Sequence, residues 1–143
     1  MSNKKPNRPS QNARQRTLGA RGTAQALKKA KDRTVQQPAS VAAWKQLGAE
    51  LSEAGQFQEA LEALDRASSL VADDAETLAL QGRITHQAGD PVRALAFLHS
   101  AIEINPKYAK AQHYIGYIYY TQARFNEALQ HAEIACELVP DDV

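Results

Sequence analysis

VAAWKQLGAELSEAGQFQEALEALDRASSLVADD, residues 41–74, is the first of three consecutive blocks written to one template. AETLALQGRITHQAGDPVRALAFLHSAIEINPKY (75–108) and AKAQHYIGYIYYTQARFNEALQHAEIACELVPDD (109–142) repeat it with the same length of 34 residues. Gly48, Gly82 and Gly116 hold the same place in each block, as do Ala60, Ala94 and Ala128, then Leu61, Leu95 and Leu129, then Ala67, Ala101 and Ala135. Pro106 and Pro140 close two of the blocks. Self-similarity at this period marks stacked helical hairpins, each of which bares an apolar flank when alone and is stable only against its neighbours.

Within each block the apolar residues follow a helical period. Trp44, Leu47, Gly48 and Leu51 recur at intervals of three and four, which places them on one helical face. The turns fall at Ala54-Gly55-Gln56, Ala88-Gly89-Asp90 and Gln122-Ala123-Arg124, where glycine can take the left-handed conformation that ends a helix. Asp90 followed by Pro91 reads as an N-cap with proline at the first helical position, and Asp73 with Glu76 reads as a capping box. The spacing predicts helices over 41–54, 57–71, 75–88, 91–104, 109–122 and 125–138. A glycine inside a helix costs about 0.5–1 kcal/mol relative to alanine, so three at equivalent mid-helix sites need compensation. Close approach of the two helices supplies it, with Ala60, Ala94 and Ala128 completing the contact and Leu64, Leu98, Leu70, Ile104 and Leu138 filling the remaining space.

These residues carry a resemblance. Trp44, Leu47-Gly48, Leu51, Ala60, Leu64 and Ala67 follow the pattern of the tetratricopeptide repeat family. Leu78, Gly82, Ala94, Leu98, Ala101 and Pro106 follow it in the second block, and Ile115-Gly116, Tyr119, Ala128, Ala135 and Pro140 in the third. Ala72 stands where the family has proline, Gln81 and Thr85 stand at usually apolar sites, and Ala132 stands at a usually large one. The resemblance implies an all-α, right-handed α-solenoid of three helix-turn-helix repeats whose first helices line a concave groove for peptides or partner segments. The residues it places in that groove are Lys45, Arg83, His86, Lys110, His113, Tyr117 and Tyr120, with Tyr114 at the edge and Tyr119 turned to the core; Ala49, Ser52, Glu76 and Ala79 accompany them. Lys110, His113, Tyr117 and Tyr120 share one helical face by spacing alone. Tyrosine rings give rigid contact area, and a nearby cation meets a carboxylate. The competing reading packs those rings against an adjacent helix. Chaperone-binding members of the family grip a terminal carboxylate with two Lys, two Asn and an Arg; Lys45 and Lys110 match, but Ala49, Leu80 and Tyr114 replace the others, so heat-shock chaperone tails are not the expected partner.

Charge divides the chain. Residues 1–40 carry ten Lys and Arg against Asp32 alone, a net of +9, whereas 41–143 carry seven bases and fifteen acids, a net of −8. Residues 1–22 hold Leu18 as their only large aliphatic beyond Met1, too little apolar surface to offset the entropy of ordering, and read as a disordered basic tail. Residues 23–40 read as a capping helix and linker, since Ala26-Leu27 fall in the column of Ala60-Leu61, and 41–143 as the repeat domain. Residues 1–40 suit nucleic acid or an anionic membrane electrostatically, yet they hold no aromatic to stack on bases, which favours a solubilising role.

Nothing in the pattern points to chemistry. No phosphate-binding glycine loop, nucleophile elbow or metal-ligand spacing is present, and His86, His99, His113 and His131 are not paired at helical spacing. Cys136, among Ile134, Ala135 and Leu138, reads as a buried thiol. The expectation is a noncatalytic interaction module or scaffold without cofactor or metal, cytoplasmic, with no apolar run long enough to cross a bilayer. Only Asp141, Asp142 and Val143 follow Pro140, so the last repeat is expected to be covered by a second copy of the chain, by a partner, or by more of a parent polypeptide. In that last case the array is the accessory region of an enzyme such as a sulfotransferase or glycosyltransferase.

Overall fold

The computed structural model describes residues 11–139, with side-chain surroundings for Gly19 and from Arg21 onward. Lys4, Lys5, Arg8 and the block-closing Pro140 lie outside the described residues. The described residues form seven α-helices: α1 (Gln11–Gln36), α2 (Val41–Glu53), α3 (Phe57–Leu70), α4 (Ala75–Gln87), α5 (Pro91–Ile104), α6 (Ala109–Thr121) and α7 (Phe125–Leu138). All six repeat helices start where the period places them and end within one residue of it.

The starts are set by local chemistry. The Ser40 hydroxyl accepts from the Ala43 amide at 3.2 Å to open α2, and the Asp90 carboxylate accepts from Arg93 at 3.0 Å with Pro91 at the first turn of α5. At α4 the cap is Asp74, whose carboxylate accepts from the Glu76 amide and the Thr77 hydroxyl. Asp73, the expected capping residue, instead takes a left-handed backbone (φ 57°) that turns the chain into the cap. The hairpin turns use the same conformation at Gly55 (φ 76°), Gly89 (φ 95°) and Ala123 (φ 59°), one position per block. Only the third has a Cβ to accommodate there.

Packing explains the mid-helix glycines. A Cβ built on Gly82 would sit 2.7 Å from Leu98 Cγ and 3.0 Å from the Ala94 carbonyl oxygen; at Gly48 the same atoms of Leu64 and Ala60 lie at 2.9 and 3.2 Å. Gly116 is looser, with the Ala128 oxygen at 3.1 Å and no leucine above it, because Ala132 occupies the column of Leu64 and Leu98. The hairpin pairs α2–α3, α4–α5 and α6–α7 pack most closely; α3 meets α4 and α5 meets α6, while α2, α4 and α6 lie side by side as an inner layer. Two apolar clusters result. One joins Leu27 and Ala30 of α1 to Leu47, Leu51, Leu64 and Ile84, and the other joins Ala79, Leu98, Ile115 and Ile118. Leu64 and Leu98 are fully buried as expected, but Leu70 and Ile104, the last residues of α3 and α5, are exposed.

The polar residues at apolar columns find partners unevenly. Buried Gln81 donates to the Asp65 carboxylate at 2.8 Å, tying α4 to α3, whereas the buried Thr85 hydroxyl has no partner. His131 Nδ1 and Gln112 Oε1 approach to 2.7 Å between α7 and α6.

α1 departs from the expectation for its first half. Residues 11–22, read from composition as disordered, are helical and continuous with the segment that docks on α2. No proline interrupts 10–37, and once Leu27, Ala30 and Thr34 anchor the helix, adding turns ahead of them costs far less than nucleating one. Arg33, in the column of the buried Ala67, turns outward and donates to Gln46 Oε1 at 2.6 Å.

Candidate partner-binding groove

On α4, Arg83, His86 and Gln87 are spaced by three and four residues; on α6, Tyr114, Tyr117 and Ile118 are spaced the same way. Each set occupies one helical face, and because α4 and α6 are neighbours in the inner layer, the two faces enclose a cleft of 410 Å³. The His86 and Tyr117 rings meet edge to face at 5.6 Å between centroids. The Ser52 hydroxyl donates to Gln87 Oε1 at 2.8 Å, so α2 holds the amide in place with its nitrogen left as a donor. Arg83 Nε is buried without a hydrogen-bond partner. An orphaned donor of this kind costs about 1–3 kcal/mol, and the repeat itself does not call for a cation, since Ala49 and Tyr117 fill the same column.

The remaining expected groove residues divide into three settings. Lys45 bridges α2 to the start of α4 through Asp74, at 3.3 Å, and Glu76. Burial pulls the Lys45 ammonium down, but the bonds and charges of Glu76 and Asp74 outweigh it and hold the group above its ordinary range. Burial likewise raises the Asp74 carboxyl, and the Thr77 hydroxyl, Lys45 and the Glu76 amide more than reverse it. Lys45 is therefore neutralised within the chain. Lys110 and His113, both exposed, do not reach the α4–α6 cleft. They edge an apolar slot between α6 and α7, where His113, Tyr117 and Tyr120 face Phe125, Leu129 and Ala132 over 490 Å³ and Lys110 continues the wall toward Cys136 and Val139. Tyr120 is 63% exposed and stacks edge to face on Phe125 at 5.7 Å. Tyr114 packs against the second core cluster while its outer edge lines the cleft, and Tyr119 packs inward beneath the Arg124 guanidinium, 4.3 Å from its ring centroid.

The slot exists because nothing covers the last hairpin among the described residues. Leu61 and Leu95, partly buried, have α4 and α6 beside them, while Leu129 in the same column is 59% exposed. The same cause corrects the expectation for Cys136. Its thiol is exposed and lines the open slot beside Ala135 and Val139. Sequence reading missed Gln87 and Ile118 as cleft residues; their signal was a position four residues after Arg83 and after Tyr114. Among the described residues, no helix is long and apolar enough to cross a membrane.

Residues 86–142 match the tetratricopeptide repeat family. Among solved structures, the chain is similar to a thermophilic tetratricopeptide repeat protein of Thermus thermophilus, with a TM-score of 0.76 and 20% identity over 87% of this chain and 70% of that one. MamA aligns with a TM-score of 0.68 and 25% identity, covering 81% of this chain and 68% of its own length. The second tetratricopeptide domain of Spaghetti (RPAP3), solved with the HSP90 peptide SRMEEVD, aligns with a TM-score of 0.63 and 22% identity over 73% of this chain and 98% of that domain. No curated protein matches the chain. The 34-residue hairpins and the shared fold make the described residues an all-α solenoid of the tetratricopeptide type, and the segment 86–142 carries the match to that family.

Proposed function

We propose that the chain is a noncatalytic protein-interaction module of the cytoplasm whose inner face, centred on the α4–α6 cleft, receives an extended segment or helix of a partner protein. The observation that carries this reading is the cleft itself: Arg83, His86, Gln87, Tyr114 and Tyr117 converge on it from two helices, and Tyr117 stays 52% exposed although its ring is already oriented by His86. Rigid aromatics with oriented donors bind main chain and side chains at little entropic cost. Lys110, His113 and Tyr120 extend the same surface toward α7, and Lys45 acts by holding α2 on α4.

Binding of a library of short synthetic peptides, read by fluorescence polarisation, tests the reading. His86→Ala with Tyr117→Ala should abolish binding, while Val92→Ala on exposed α5 should leave it unchanged. A folded double variant that binds the same peptides as the parent removes the groove assignment. The bare α6–α7 slot favours a second contact, self-association of two copies through that flank. Sedimentation of the parent against Leu129→Asp checks it, and a parent that remains monomeric at high concentration rejects it.

A further inference from the structure

We infer that the α4–α6 cleft is a carboxylate subsite, in which the Arg83 guanidinium receives an acidic side chain of the bound peptide. The inference rests on the groove reading above and names the chemistry that the groove selects.

The cleft holds a cation and no anion. Its lining combines the Arg83 guanidinium with an imidazole, an amide and two phenols, and no Asp or Glu is among them. Each ion pair among the described residues involves Lys45 or Arg124, so Arg83 is not one of the cations the fold neutralises. Its Nε–H is orphaned, and a modest rotation of the guanidinium toward the cleft presents Nε and one terminal nitrogen side by side, the two-pronged geometry that a planar carboxylate fits. The Gln87 amide, whose oxygen is occupied by Ser52, adds an uncharged donor on the same face. His86, braced by Tyr117, forms one wall of the cleft beside the guanidinium.

Formation of the repeat does not require this arrangement, because the column of Arg83 holds Ala49 in the first block and Tyr117 in the third. The same fact makes Arg83→Ala a tolerable change for the fold. Lys45, a position the resemblance offers for a carboxylate, is already saturated by Asp74 and Glu76, whereas Arg83, the cation that lines the α4–α6 cleft, has its charge unmatched.

The experiment uses the full chain and synthetic peptides of apolar-Glu-apolar pattern, acetylated and amidated, each paired with its Gln twin and with a Gln version carrying a free C-terminal carboxylate. The parent should prefer the Glu peptide over the Gln twin by about tenfold or more, the effect of one charge-assisted bond. Arg83→Ala should erase the preference, bringing the affinity for the Glu peptide down to that for its Gln twin, and Arg83→Lys should restore only part of it. Recovery of affinity by the free-terminus version would assign the subsite to a chain end rather than a side chain and overturn that part of the inference. Peptides that bind and depend on His86 and Tyr117 but show no Glu preference, or a preference that survives Arg83→Ala, refute the subsite and leave the groove standing. Absence of binding by every peptide refutes both.

Discussion

Replacing Gly82 by alanine sets two opposed effects against each other, and the structure gives their sizes. In a helix interior alanine is favoured over glycine by about 1 kcal/mol. Against that, the new Cβ would lie 2.7 Å from Leu98 Cγ, a branch point and not a flexible tip, and 3.0 Å from the Ala94 carbonyl oxygen, which is fixed by the helix. Leu98 is fully buried and has no solvent-facing rotamer to escape into. Overpacking costs about 1–3 kcal/mol, and a backbone clash belongs in the upper half of that range. Gly82→Ala is therefore expected to destabilise by about 1–2 kcal/mol net. Gly116→Ala meets one backbone oxygen at 3.1 Å, with His131 Cβ next at 3.4 Å, so its cost and its helical gain should nearly cancel. Urea unfolding followed by circular dichroism measures both. With a slope of about 2 kcal/mol per molar urea, the Gly82 variant should lose roughly 0.5–1 M in midpoint and the Gly116 variant should stay near the parent. In a Leu98→Ala background, itself costly, the added penalty of Gly82→Ala should shrink. If Gly82→Ala matches the parent, or Gly116→Ala is the more damaging of the two, the close-approach explanation of the repeated glycine is wrong.

Ala123→Gly should raise the unfolding midpoint, because Ala123 holds the left-handed backbone that Gly55 and Gly89 adopt freely; a gain of about 0.5–1 kcal/mol is expected, and a loss in the melting temperature would contradict the strain assignment. Asp74→Ala removes the α4 cap and half of the Lys45 bridge and should cost about 1–2 kcal/mol, whereas Asp73→Asn, which keeps a residue suited to a positive φ, should be neutral; equal effects at the two positions in chemical denaturation would restore Asp73 as the cap. Burial, with a smaller contribution from His99, holds the His131 imidazole below its ordinary 6.5, so the unfolded chain takes up its proton first as pH falls. Stability from this group is complete above pH 6.5 and declines as pH drops toward the lower folded value. His131→Gln should flatten that decline in thermal melts between neutral and mildly acidic pH, and an unchanged slope would show that His131 is not responsible.

The period and the capping chemistry carry most of the architecture. Hairpin length, the six helix starts and the glycine-alanine contacts follow from residues that act within one turn or on the adjacent helix, and such local causes recur visibly every 34 residues. The resemblance placed Arg83, His86 and Tyr117 in the groove with Tyr114 at its edge, and all four line the cleft between α4 and α6. What needed three dimensions was which charges are already spent and which apolar faces are left bare. Lys45 and Arg83 are both inner-face cations in one dimension, yet Lys45 lies against two carboxylates from the next helix and Arg83 against none. Cys136 and Leu129 share columns with partly buried residues of the second block, and they are exposed because no further hairpin packs on α7 among the described residues. Repeat identity is a property of each block by itself; charge balance and burial depend on what stands beside the block, and only the folded array supplies that neighbour.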